Sequence, residues 1–364
     1  MISVSRATFP FPEEVRALVA PPPRTPIAEI AAALAKADFP LKRHYHGEED
    51  ARRWFAALRA YPRDPWTRTV YSMRFRFRDR ARAFGPPFLF DGEPHLLAYD
   101  DTREYEQIDR LTDLFTEDLR VRARRVDSPE SPMAAWEGST DFRERVVRAA
   151  MPNLDAHSLR EAVWRVHGRE ATGFKQSFAI SVLRRLGARR VLDISAGWGD
   201  RLVAAIAAGV DRYVAADPNF ALRRGHEAIV QRLRGEGGPP SVAIHYEPFE
   251  DADLGGEAFD TVFTSPPYFD FETYTDLPGQ SIQRFTTLDS WTKGWLFPAL
   301  AKAWGALGRG GNLAVHMCDG RIAEPMLLFA ATLPGAAYRG VLACTGSKPN
   351  PRPVWVFRKT AALR

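Results

Sequence analysis

The chain has little cysteine: Cys318 and Cys344 are the only two in 364 residues. Two thiols cannot build a disulfide framework or a four-cysteine metal site, so the cytoplasm is the expected compartment. No apolar run approaches membrane length, and Met1–Arg6 lacks the apolar stretch of a signal peptide, so no membrane partner is expected. Strong charge imbalance is also missing. Fifty Lys and Arg stand against 45 Asp and Glu, and the first 150 residues hold acids and bases in nearly equal number, which excludes a basic arm. That balance permits a nucleic-acid partner without demanding one. There is no internal repeat or long low-complexity tract. What is present, 45% hydrophobic and 26% charged residues over a length sufficient for two domains, is the composition of a soluble globular protein.

Along the chain, residues 1–40 read as a loose lead-in through Pro21–Pro23 to a short helix at Ile27–Lys36. Helical spacing recurs at Glu48–Ala60, Tyr105–Phe115 and Phe142–Ala150, and a junction is expected near Met151-Pro152-Asn153. Tyr71–Arg82 alternates with period two: five arginines fall on one face and Met73, Phe75, Phe77 and Ala81 on the other, which predicts a strand. From about residue 170 strands and helices alternate. Expected strands are Arg190–Ile194, Tyr213–Ala216, Val242–Tyr246, Thr261–Thr264 and Asn312–Met317. Expected helices are Phe174–Leu186, Arg201–Ala208, Phe220–Arg234, Trp291–Leu307 and Pro325–Leu333. Gly340–Cys344 and Val354–Phe357, around the loop Lys348–Pro353, read as a terminal hairpin. The pattern predicts an α/β, doubly wound sheet with a terminal antiparallel hairpin over 166–364, preceded by a mixed α+β domain over 1–165.

Val191–Leu202 carries the first chemical signal. A buried strand ends at Asp193, and Ser195-Ala196-Gly197-Trp198-Gly199 turns into a helix. Glycine lets a ligand approach the backbone closely because no Cβ blocks it. A lone G-x-G is weak, but the next strand ends at Asp217, placed to accept ribose hydroxyls, with Asn219 to cap the helix or touch the ribose. The strand after that ends near Phe249-Glu250, an aromatic and an acid suited to an adenine face and its amino group. Phe174 and Lys175 precede the first helix; Lys175 is placed either to meet a carboxylate of the cofactor or simply to be solvated. A dinucleotide site would need a third glycine where Leu202 stands.

On these residues the segment resembles a class I S-adenosylmethionine-dependent methyltransferase, with Asp193–Gly199 as its first motif and Asp217 as its ribose acid. The resemblance covers roughly 170–360 and implies a Rossmann-like fold with S-adenosylmethionine as cofactor. Ser195 and Ala196 depart from it, since many members carry glycine there. Trp198 either packs over the cofactor or seals the turn.

The second signal is Ser265-Pro266-Pro267-Tyr268 after the buried strand Phe259–Thr264. It resembles the catalytic motif of amino-methyltransferases acting on cytosine N4 or adenine N6. An exocyclic amine conjugated to a ring is a poor nucleophile. The Ser265 hydroxyl and the Pro266 carbonyl can accept its two hydrogens and favour a tetrahedral nitrogen. The two prolines fix the carbonyl's direction, and Tyr268 offers a face for a planar acceptor or for the sulfonium. Downstream, Phe269–Tyr274 and Gly279–Ile282 read as a lid or acceptor-recognition loop, with Asp270, Glu272 and Tyr274 as candidate acceptor contacts.

The expected function is N-methyl transfer to an exocyclic amine, with a nucleobase slightly favoured. About seventy residues separate Asp193 from Ser265, which the sheet itself consumes, so a target-recognition domain must be the N-terminal half. There the arginine strand and Arg120–Arg125 offer phosphate contacts, although a solvated strand face is the favoured reading. Asp109, Asp113 and Glu117 at helical spacing either close over the site or form a solvated stripe. Other classes are a small-amine methyltransferase, a cyclase that closes the cofactor's own methionine into a four-membered ring with release of methylthioadenosine, as azetidine-2-carboxylate synthases do, and a non-catalytic nucleic-acid-binding module, disfavoured by the intact Ser265–Tyr268 turn. His316 and Cys318 do not make a metal site; Cys318 is expected in the core, with Asp319 near the cofactor rim.

Overall fold

A computed structural model describes residues 26–98, 107–235, 238–345 and 350–360. The lead-in through Pro21–Pro23, the start of the helix expected at Tyr105 and the start of the loop at Lys348 lie outside the described residues. The strands are β1 (Trp66–Thr67), β2 (Leu96–Leu97), β3 (Arg124–Arg125), β4 (Arg190–Asp193), β5 (Arg212–Ala216), β6 (Ser241–His245), β7 (Phe259–Thr264), β8 (Glu272–Thr273), β9 (Leu307–His316), β10 (Ala336–Cys344) and β11 (Arg352–Lys359).

The chain divides into two compact units with interleaved segments: the described parts of 1–54, 111–173 and 271–276 in one, and of 55–110, 174–270 and 277–364 in the other. The sequence suggested a single cut after 165. Residues 55–110 instead join the sheet unit, because β1 and β2 pair onto its edge beyond β10.

The sheet unit holds nine strands in the order β1-β2-β10-β11-β9-β7-β4-β5-β6. Strands β9, β7, β4, β5 and β6 are parallel neighbours, and β11 runs antiparallel between β9 and β10. This is the expected Rossmann-like, doubly wound sheet with its terminal hairpin. The strand order reverses between β4 and β7, and in open α/β sheets ligands bind at the carboxyl ends flanking such a point. The central strands are buried apolar runs, as sheets covered on both faces require. Helices at Gln176–Leu186 and Asp200–Ala208 end at Gly187 and Gly209, both left-handed. The helix expected from Trp291 starts at Leu288, capped by Thr287, and contains a π turn at Thr292–Leu296.

Tyr71–Arg82 is not a strand. Its inward Met73, Phe75 and Phe77 pack on the sheet's core, with Phe75 and Phe77 edge-on to Trp355 at 5.8 and 5.5 Å. The segment therefore covers a sheet face rather than an edge, and has no ladder to join. A 3-10 turn follows at Asp79–Phe84.

The second unit is mainly helical, with helices at Ile27–Leu34, Asp113–Arg120, Pro132–Gly138, Thr140–Ala150 and Ala156–His167, and with β3 paired to β8. Met151-Pro152 is a turn inside this unit, between its last two helices, and not a junction. Asp113 and Glu117 are no solvated stripe. With Glu170 they form a buried network against Lys42, Arg120 and Arg160, three acids against three bases. Arg160 grips Glu170 with two parallel bonds of 2.8 and 2.7 Å and Glu117 at 2.8 Å. Burial alone would raise the Glu170 carboxyl, but Arg160 and then Arg120 hold it down to about 2.

Because its folded value lies below the ordinary glutamate value of about 4.3, Glu170 contributes stability above that pH which is lost as pH falls toward 2. Arg160→Met leaves the buried Glu170 and Glu117 with Arg120 as their remaining arginine partner. It should cost about 3–5 kcal/mol at neutral pH and flatten the acid limb of the denaturation midpoint plotted against pH. An unchanged acid limb in urea titrations of the variant would sink this assignment.

Candidate functional site

Strand β4 delivers Asp193 fully buried at its carboxyl end. Arg201 donates to it at 2.7 Å, the Tyr213 hydroxyl at 2.9 Å and the Ser195 N–H at 3.2 Å. Arg201 also donates to the Ser195 carbonyl and lies over the Phe174 ring. Asp193 thus shapes the glycine turn from beneath.

In that turn Gly197 has φ +56° and open space where a Cβ would stand, with only its own turn's Ser195 carbonyl at 3.8 Å. Gly199, at φ +96°, has none to spare: a Cβ there would meet Ile229 at 2.8 Å and His226 at 3.3 Å. Trp198 is 7% exposed. Sequence reasoning missed His226, whose Nε2 lies 2.9 Å from the Gly197 carbonyl. Burial pushes its imidazole down to about 4, so it is neutral at pH 7 and donates to that carbonyl.

Asp217, at the end of β5, accepts N–H bonds from Gly197 at 2.7 Å and Asn219 at 3.0 Å. Burial raises its carboxyl to about 6, with those two bonds opposing the rise. The Asn219 side chain does not cap a helix. Its Oδ1 is buried without a hydrogen-bond partner, because the following 3-10 turn takes no side-chain cap. An open glycine, a carboxylate at the adjoining strand end and an orphaned buried acceptor together fit a polar, hydroxyl-bearing cofactor.

After β6, Phe249 is buried with the Lys302 ammonium 4.9 Å from its ring centre, and Glu250 accepts from Trp295 at 3.0 Å and Arg284 at 3.2 Å. The π turn is what aims Trp295 there. Gly279 crosses the ends of β5 and β6: a Cβ on it would lie 3.0 Å from Pro218 and 3.6 Å from Pro248. The loop after Tyr268 thus returns over the strand ends, tied by Gln283 to Gly279 and Leu277. Phe174 stacks on Phe178 and meets His316 edge-on, while its N–H donates to Asp200. Lys175 opens the helix Gln176–Leu186, and its charge acts on Asp109, which caps that helix through the Ser177 N–H at 2.8 Å.

Ser265–Tyr268 leaves β7 beside this turn. Ser195 Oγ and Thr264 Oγ1 are 3.2 Å apart, so the glycine turn and the Ser-Pro-Pro-Tyr turn start side by side. Phe269 closes the second turn with φ +57°, a conformation costly for a bulky residue, and is held against Trp291. Burial, then the neighbouring Cys318, raises the Tyr268 hydroxyl well above the phenol range, and its ring lies 6.4 Å from that of His316. Cys318 Sγ lies 3.5 Å from His316 Nε2, and His316 Nδ1 lies 2.8 Å from the Pro353 carbonyl. Burial lowers the His316 imidazole to about 3, so the ring is neutral. Since Nδ1 must donate to a carbonyl, Nε2 can only accept, and the thiol donates to it. Cys318 is half-buried and bonded to His316, which had no signal in the sequence beyond its proximity to Cys318. Asp270 is exposed on the sheet unit. Glu272 and Tyr274 belong to the helical unit, where Glu272 sits in β8 and its carboxyl is raised by burial despite a Tyr274 bond.

No family model matches the chain, and no curated protein does. Among solved structures, it is similar to a SAM-dependent O-methyltransferase from Thermotoga maritima at 15% identity over 53% of this chain and 68% of that one, TM-score 0.36. It is similar to magnesium protoporphyrin IX methyltransferase from Synechocystis PCC 6803, solved with SAM, at 12% over 51% and 79%, TM-score 0.37. TrmN from Thermus thermophilus matches at 18% over 56% and 66%, TM-score 0.35.

Gly199→Ala forces a side chain into a left-handed position against Ile229 and should destabilise the protein by about 1–3 kcal/mol. Gly187→Ala, where nothing lies within 4 Å, isolates the backbone cost alone. Equal melting-temperature losses in the two variants would show that close packing of the turn on Ile229 contributes nothing.

Proposed function

We propose that the protein is an S-adenosylmethionine-dependent N-methyltransferase acting on an exocyclic amine, with a nucleobase as the favoured acceptor. One observation supports the reading: the Ser195–Thr264 contact joins the starts of the glycine turn and the Ser-Pro-Pro-Tyr turn, so a cofactor held at the first would stand beside an amine held at the second.

S-adenosylmethionine, when bound, supplies an electrophilic methyl on a sulfonium. Asp217 and Asn219 Oδ1 would take the ribose hydroxyls, Gly197 would admit the ligand to the backbone, and the loop at Gly279 would shield the ends of β5 and β6. On the acceptor side the Ser265 oxygen and the Pro266 carbonyl take the two N–H groups of the amine. They turn its lone pair toward the methyl and stabilise the nitrogen as it gains positive charge. The N–C bond forms as the S–C bond breaks, and one N–H proton leaves for solvent, so no group of tuned pKa is required. Alignment supplies much of the rate.

Asp217 accepts ribose hydroxyls best when ionised, and its carboxyl titrates at about 6. Affinity for S-adenosylhomocysteine, measured calorimetrically, should therefore fall as pH drops below 6, by up to about tenfold per unit. In Asp217→Asn it should be weaker by about ten- to a hundredfold and level across that range. A slope that survives in the variant would assign the titration elsewhere.

Ser265→Ala should lower methyl transfer at least about a hundredfold while sparing cofactor affinity. Tyr268→Phe keeps the ring and removes only the hydroxyl, and a smaller loss is expected. Labelled methyl should appear in polynucleotide or amine. Methylthioadenosine formed from the cofactor alone would show the cyclase instead.

A further inference from the structure

Many exposed arginines of this protein have acids beside them: Arg189 with Asp211, Arg190 with Glu257, Arg223 with Glu227, Arg145 with Asp141. Arg74, Arg76, Arg78, Arg80 and Arg82 do not. All five are exposed, and among the described residues none forms an ion pair. The single acid between them, Asp79, is itself exposed, leaving a net charge of four over nine residues.

This row is anchored. Exposure alternates through 72–78 as in an extended chain, and Phe75 and Phe77 stack on each other at 6.0 Å and press on Trp355. Ala81 and Phe84 are buried, with Phe84 edge-on to Tyr338 at 4.9 Å. Arg74, Arg76 and Arg78, two apart on an extended backbone, fall roughly 6.5 Å apart, comparable to successive phosphates of a stretched single strand, and Arg80 and Arg82 follow in the 3-10 turn.

The row also leads somewhere. Phe75 lies against Gly320, where a Cβ would approach its ring within 3.3 Å, and Trp355 donates to the Met317 carbonyl at 3.1 Å. Met317–Gly320 is the stretch that carries Cys318, bonded to His316, whose ring lies 6.4 Å from that of Tyr268. Arg352, exposed at the start of β11, acts electrostatically on Tyr268, Cys318 and His316.

We propose that Arg74, Arg76 and Arg78, flanked by Arg80, Arg82 and Arg352, form a phosphate track that holds the backbone of a single-stranded polynucleotide and feeds it to the Ser265–Tyr268 turn. A single row follows one backbone, and a base inside a duplex cannot present its amino group to such a turn without leaving the stack. The proposal rests on the N-methyltransferase reading for its direction, though its binding step does not require chemistry.

The test is fluorescence anisotropy of the full-length protein with labelled single-stranded RNA and DNA oligonucleotides over a salt series, without cofactor. Wild type should bind, with affinity falling steeply as salt rises. The triple variant Arg74→Ala, Arg76→Ala, Arg78→Ala leaves the aromatic anchors in place. It should bind at least about tenfold more weakly, with a log–log salt slope shallower by about two. Arg52→Ala, Arg145→Ala, Arg148→Ala removes the same charge from the helical unit's surface and should bind like wild type. Equal losses in both triple variants, no binding by wild type, or a preference for phosphatidylserine vesicles over both oligonucleotides would overturn the track. Wild type that binds polynucleotide but methylates none of it would sink the enzymatic reading and leave the track standing. Undiminished methylation of polynucleotide by the arginine variant would do the reverse.

Discussion

A carboxylate with no exposure at the end of the central strand is the constraint on which the sheet unit depends. Asp193 sits where β4 must stop, and burying its charge is tolerable only because Arg201, Tyr213 and the Ser195 N–H surround it. Each partner belongs to a different structural feature: the helix after the glycine turn, the neighbouring strand β5, and the turn itself. Satisfying one carboxylate therefore sets where the turn begins, how the helix enters and how β5 registers against β4. Arg201 extends the constraint to Phe174, and from there to His316 on β9.

The same economy recurs in the helical unit, where three acids and three bases lock Lys42, the helix Asp113–Arg120 and the segment Arg160–Glu170 together. Such a network contributes little net free energy relative to a well-packed apolar core, but each member is costly to remove alone. In the sheet unit a neutral chain takes over that role at the mouth of the site. His316 is held neutral by burial, its Nδ1 donating to the Pro353 carbonyl and its Nε2 accepting from the Cys318 thiol.

Much of the sheet was legible in the sequence because parallel, doubly covered strands are apolar runs, and Val191-Leu192 and Val262-Phe263 read as such. The glycine turn and the Ser-Pro-Pro-Tyr turn were equally visible, since their residue types carry backbone geometry. Tyr71–Arg82 was misread as a strand. A period of two reports one buried and one exposed face, and a chain laid over a sheet face shows the same period as one hydrogen-bonded within it. Asp113 and Glu117 were misread for a related reason: helical spacing shows that they share a face, not that Lys42 and Arg160 come to meet it.

By itself, then, the sequence determined the order of strands and helices, the two turns and the residue types that surround them, all properties of short, contiguous segments. Tertiary structure decided what depends on residues far apart in the chain. It set Thr264 beside Ser195, Gly279 over Pro218 and Pro248, His226 on the Gly197 carbonyl, and Phe75 against Gly320. It also left five arginines without acids, since whether a charge is neutralised depends on which other segments fold near it, and no local pattern records that.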